Sequence, residues 1–148
     1  MPLREQMIQT AKGWLQAHAD RNTHGAASIT ALAAPGFVAH SFPSSLQAPD
    51  RNLEEYVAFQ SWAFTMFDTY HSTQTDMVVD ETQRKVVIYL SAKGTASAGE
   101  YTNEYIHKLT LTEDGTLVKV FDASVDSLAM MTWMGKVQAA QGAKEEKS

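Results

Sequence analysis

Glu100-Tyr101-Thr102-Asn103-Glu104-Tyr105-Ile106-His107-Lys108-Leu109-Thr110-Leu111-Thr112 alternates between two kinds of side chain, and Glu113-Asp114-Gly115 then turns the chain into residues 117–125. Successive side chains of an extended strand point to opposite faces. One face of the first segment carries Tyr101, Asn103, Tyr105, His107 and Leu109; the other carries Thr102, Glu104, Ile106 and Lys108. Aromatics mixed with an amide and an imidazole suit a cavity wall, whereas Glu104 and Lys108 suit water or cross-strand pairing. Alternation in the second segment sets Val118, Val120, Asp122 and Ser124 on one face. Leu117, Lys119, Phe121, Ala123 and Val125 then share the other, a dimer surface with Lys119 at its rim. Pairing about the Gly115 turn brings Leu109 to Val120 and His107 to Asp122, to within a residue of register.

Further strands precede this hairpin. Residues 85–95 are rich in β-branched side chains, residues 72–80 alternate loosely, and turns are predicted at 80–83 and 96–99. Before them the period changes. Asn52 with Glu55 three residues on resembles a capping box and opens a helix whose stripe holds Leu53, Tyr56, Val57, Ala63, Phe64 and Phe67, widened by Phe59, Trp62 and Met66. A helix so broadly apolar is expected in a deep groove of a curved sheet. Leu3, Met7, Ala11, Trp14, Leu15 and His18 recur at helical steps, and a weaker helix is predicted over 26–34, stopped by Pro35-Gly36. Residues 37–40 read as a short extended piece and 41–50 as a loop. Asp126 or Ser127 caps a short final helix with Leu128, Met131 and Val137. Helices segregate from consecutive antiparallel strands, so the class is α+β. One domain is expected over 1–137, with 138–148 a fraying tail.

Composition narrows the function. The 148 residues carry a net charge of −5, which argues against a nucleic-acid binder and a polybasic membrane anchor. There is no cysteine, so disulfides, thiolate nucleophiles and cysteine-based zinc sites are excluded. The longest apolar run, Val86 to Leu90, is far too short to cross a bilayer. With no signal-peptide pattern and no Asn-x-Ser/Thr acceptor, a cytoplasmic location is expected. No Gly-x-Ser-x-Gly, Gly-x-Gly-x-x-Gly, P-loop or His-Glu-x-x-His motif occurs, and the five histidines are scattered, which disfavours a metal site.

Helices first, a long aromatic helix and then a four-strand antiparallel meander resemble the cone-shaped fold of the nuclear-transport-factor-2-like (NTF2-like) superfamily. Three segments carry a narrower likeness: Phe37-Val38-Ala39-His40-Ser41-Phe42-Pro43-Ser44-Ser45-Leu46, Glu100-Tyr101-Thr102-Asn103-Glu104-Tyr105, and Asp114-Gly115-Thr116-Leu117-Val118-Lys119-Val120-Phe121-Asp122 with Asp126-Ser127. They resemble the SnoaL-like polyketide cyclases and their fungal relatives, the meroterpenoid isomerases. The resemblance implies an apolar pocket between sheet and helices, a homodimer through the convex face of the sheet, and no metal or organic cofactor. It also implies acid–base groups on the last two strands, at positions matched by His107 and Asp122.

The expected chemistry is cofactor-independent isomerisation, cyclisation or dehydration of a polyketide- or meroterpenoid-type molecule through an enol or enolate. Asp122 would be the base and His107 its partner, with His40 or Tyr89 the second proton donor. Tyr89, Asn103, Tyr105, Tyr56, Trp62 and Phe59 would bind substrate. His18, His24 and His71 read as surface or capping residues, and Met130–Met134 as a lid or packing helix. The competing reading is a non-catalytic binding or dimerisation module, in which Asp122 and His107 bond only to structure.

Overall fold

The computed structural model describes residues 1–20 and 25–146; the side chains of 144–146 and the residues around His24 lie outside the description. Its elements run α1 (Leu3–Ala19), α2 (Gly25–Leu32), β1 (Ala33–Phe42), a 3-10 turn (Ser44–Leu46), β2 (Arg51–Asn52), α3 (Leu53–Phe64), β3 (Thr69–Asp80), β4 (Lys85–Ala96), β5 (Gly99–Leu111), β6 (Val118–Val125) and α4 (Ser127–Glu146). The sheet order is β2-β1-β6-β5-β4-β3. β1 lies parallel to β6, and every other neighbouring pair is antiparallel. This is the α+β, NTF2-like cone.

α1, rather than α3, fills the groove. Its stripe buries Met7, Thr10, Ala11, Trp14 and Ala17 against Val86 and Ile88 of β4, Leu109 and Leu111 of β5, and Val118 and Phe121 of β6. Each such large apolar side chain contributes about 1.5–3 kcal/mol on burial. The Thr10 hydroxyl donates to the Gly115 carbonyl at 2.6 Å and so ties α1 to the β5–β6 turn. α2 starts hard against the end of α1: a Cβ at Gly25 would lie 2.9 Å from the Ala17 carbonyl oxygen. α3 opens on the expected capping box, with Glu55 N–H donating to Asn52 Oδ1 at 2.9 Å and Asn52 N–H to Glu55 Oε1 at 3.0 Å. It buries only Tyr56 fully and ends at Phe64. Phe67 leaves the helix to join Tyr70, Tyr101 and Trp133 in a second aromatic cluster.

Two expectations about extent are corrected. β1 begins at Ala33, and Pro35-Gly36 sits in an irregular stretch of it rather than after a longer helix; the register shifts between Ala33 and Val38. α4 runs on to Glu146, so the tail expected from Gln138 is helical over most of its length. Its Trp133 is buried against Phe67 and Tyr101, which makes the methionine-rich run a packing helix, while Met131 on the other flank is 61% exposed.

A bulge in β6 decides the site. Thr110 pairs with Val120 but Leu111 pairs with Val118, so Lys119 is an extra residue in β6. A one-residue bulge exchanges the two faces of everything beyond it. Val118 faces the core before the bulge and Phe121 faces it after, a three-residue step that strict alternation forbids.

Candidate active site

The bulge separates the two residues expected to act together. Asp122 pairs in register with Lys108 and with His40, on the outer face of the sheet. Its carboxylate lies 3.4 Å from Lys108 Nζ. His107 pairs with Ala123 and Ile88 and points inward, with Phe121. His40 is also on the outer face, where its Nδ1 meets Asp50 at 2.8 Å and pins the loop before β2. Tyr89 alternates with the buried Ile88 and Leu90 and is 41% exposed on the same outer face. Asp122, His40 and Tyr89 therefore do not share a chamber with His107. Phe59 and Trp62 turn away too. Three-residue steps drift by roughly 60° around a helix. Trp62 ends 53% exposed, and Phe59 lies under the Arg51 guanidinium at 3.8 Å.

Asn103, Tyr105, His107 and Tyr56 do face the interior. There they meet a residue expected at the surface. His18 is on the α1 stripe, four residues after Trp14, and is enclosed by the rings of Trp14, Tyr56 and Phe121. Phe121 gathers the polar groups: its centroid is 4.9 Å from that of His107, 5.5 Å from Tyr56 and 6.0 Å from His18. His18 Nδ1 lies 2.7 Å from the Trp14 carbonyl oxygen and Nε2 lies 2.6 Å from the Tyr56 hydroxyl. Burial lowers the His18 pKa to about 4, against a smaller raising effect of the bond to Trp14. Burial lowers that of His107 to about 3, helped by the nearby His18. Both imidazoles are thus neutral at neutral pH. His107 Nδ1 is buried and has no hydrogen-bond partner. Burial raises the pKa of Tyr56 and Tyr105, so both phenols stay protonated.

A second polar string continues along β5. Asn103 Nδ2 donates to the Tyr101 hydroxyl at 2.8 Å, and the Tyr101 and Tyr105 hydroxyls are hydrogen-bonded. The interior is not sealed along its whole length, because Tyr105, His107 and Ala123 face inward yet are only half-buried. A hollow of about 570 Å³ lies beside β4, β5 and the end of β6, lined by Tyr89, Ser91, Glu104, Ile106, Ser124 and Asp126, and also by Thr75, Leu90, Tyr105 and Val125. Among the described residues no cluster of three or more histidine, aspartate or glutamate side chains is placed to hold a metal ion, and no helix is long and apolar enough to cross a membrane. His71 is exposed on β3, and His24 lies outside the described residues.

A curved sheet wrapped around an N-terminal helix is the architecture of the NTF2-like fold. The comparisons make the class specific. The chain is 31% identical to austinoid biosynthesis cluster protein H of Aspergillus calidoustus, over 93% of this chain and 95% of that protein. It is 31% identical to austinoid biosynthesis clusters protein H of Penicillium brasilianum, over 97% and 98%. Its fold superposes on the BvnE pinacolase of Penicillium brevicompactum with a TM-score of 0.87 at 27% identity, covering 95% of this chain and 99% of that one. No protein-family model matches the chain. The chain belongs to the family of the austinoid biosynthesis cluster H proteins.

Proposed function

We propose that the protein is a cofactor-independent acid–base isomerase acting on a polycyclic ketone of meroterpenoid or polyketide type, through an enol or enolate formed inside the cone. One observation carries this reading: His107, an imidazole kept neutral by burial, stands among aromatic rings with Nδ1 unpartnered. A neutral imidazole is a competent hydrogen-bond donor to a carbonyl oxygen that is gaining charge, and a buried unpaired nitrogen costs about 1–3 kcal/mol until something fills it. A substrate oxygen meets that need. Tyr105, Asn103 and Tyr56 bind and orient the ring system. The relatives named for austinoid biosynthesis and for pinacolase activity support a substrate and reaction of this kind. Asp122, the base expected from sequence, takes no part, because its carboxylate is paired with Lys108 across the sheet. The test is deuterium incorporation from D2O into a polycyclic 1,3-diketone. The parent protein is expected to exchange the α-hydrogen well above the buffer rate, and His107→Gln to slow it about 100-fold or more. An unchanged rate in His107→Gln would overturn the assignment.

The outer face supports self-association. Phe42, Val78, Tyr89 and Ile106 are each at least 40% exposed there, on four different strands. Four large apolar side chains on one sheet face are more than scattered surface hydrophobics require. A second copy of the chain, seated sheet to sheet, covers them.

A further inference from the structure

The acid–base reading leaves one position empty. His107 serves the substrate oxygen, and a second group must take the proton from carbon. The two donors expected from sequence, His40 and Tyr89, are on the wrong face.

We infer that Tyr56 is that base, with His18 behind it as the acceptor of the tyrosine's own proton and the Trp14 carbonyl fixing the direction. The hydrogen positions follow from the partners. A carbonyl oxygen only accepts, so His18 Nδ1, 2.7 Å from Trp14, must carry the hydrogen. A neutral imidazole then has its lone pair on Nε2, and the Tyr56 hydroxyl at 2.6 Å donates to it. The phenolic proton is therefore committed to His18, and the oxygen offers the interior its lone pairs. Three groups from two helices (a carbonyl, an imidazole and a hydroxyl) thus stand in series, the order in which a weak oxygen base is activated by an oriented histidine.

The step balances. The substrate's carbon–hydrogen bond breaks, its proton goes to Tyr56 Oη, and its electron pair stays on the substrate as enolate. The Tyr56 proton moves at the same time to His18 Nε2, making an imidazolium still bonded to Trp14 through Nδ1. Return of the proton along the same path to a different carbon completes an isomerisation without consuming a co-reactant. Tyr56 is the catalytic residue here and His18 a positioning residue that acts through it.

This inference rests on the acid–base reading, and its test separates the two. Ring 15N NMR of the ligand-free protein is expected to show His18 protonated on Nδ1, with an Nε2 signal that shifts in Tyr56→Phe. A hydrogen on Nε2 would overturn the relay, since Tyr56 would then be the acceptor. In the D2O exchange assay with the polycyclic 1,3-diketone, Tyr56→Phe and His18→Gln are each expected to slow exchange about 100-fold, and the double variant to be no slower than either, because the two act as a unit. Glutamine still accepts the Tyr56 bond but takes no proton, so a parent-like rate in His18→Gln would overturn the relay as well. Slow exchange in His107→Gln with parent rates in Tyr56→Phe and His18→Gln would remove the relay and leave the acid–base reading standing. No exchange above buffer by the parent protein would remove both.

Discussion

His18 and His107 show how far a single residue's environment outweighs its type. Both sit among rings, and both have pKa values well below 6.5, at about 4 and about 3. Above pH 6.5 each is neutral whether the chain is folded or not, so neither costs stability. As the pH falls below that value the unfolded chain binds protons that the folded one refuses. Each histidine then removes about 1.4 kcal/mol of folding free energy per pH unit, until its folded-state pKa is reached. The thermal midpoint is expected to fall steeply between pH 7 and 5, and the fall to be shallower in His107→Gln. A midpoint flat across that range would mean the imidazoles are more open to water than the fold suggests. Sequence alone placed His107 inside by strand alternation, and it placed His18 on the buried stripe of α1. Yet His18 read as a surface residue because a polar side chain near a helix end usually is one. The hydroxyl that satisfies it, Tyr56, is 38 residues away in sequence, and no local pattern links the two.

Among the elements, those with local signals were legible. The Asn52–Glu55 capping box marks the start of α3 to the residue. It also sets the rotation of the helix that presents Tyr56. Asn52→Ala is expected to cost about 1 kcal/mol in urea unfolding, and no loss would show that packing alone positions α3. The Gly115 turn, at a φ of +74°, was equally readable. β6 was not. Its sequence fits plain alternation, and the extra residue at Lys119 is visible only in the pairing with β5. That one residue moved Phe121 into the core and Asp122 out of it, so half of the expected catalytic pair changed faces, and of the expected dimer surface Phe121, Ala123 and Val125, which lie beyond the bulge, changed with it. α3 misled for another reason. Its apolar residues spread too far around the helix to be buried together: Trp62 is exposed and Phe59 packs under Arg51.

At the scale of the whole molecule, the cone has two working surfaces with different chemistry. Inside are neutral, hydrogen-bonding aromatics and imidazoles; outside, Lys108, Asp122 and His40 form a polar row beside exposed Tyr89 and Ile106. The fold class was readable because its order of helices and strands is written along the chain. The use of each face was not, because that depends on register. If the outer face is the dimer surface, the protein should scatter light as a dimer at micromolar concentration, and Tyr89→Glu should leave a folded monomer. A monomeric parent would remove that proposal without touching the interior. The interior account stands on the division between the two faces, and Asp122→Asn tests it most directly in the deuterium-exchange assay. With Asp122 on the outer face, the variant should exchange the diketone at the parent rate. A loss as large as that of His107→Gln would contradict the account and return the carboxylate to the reaction.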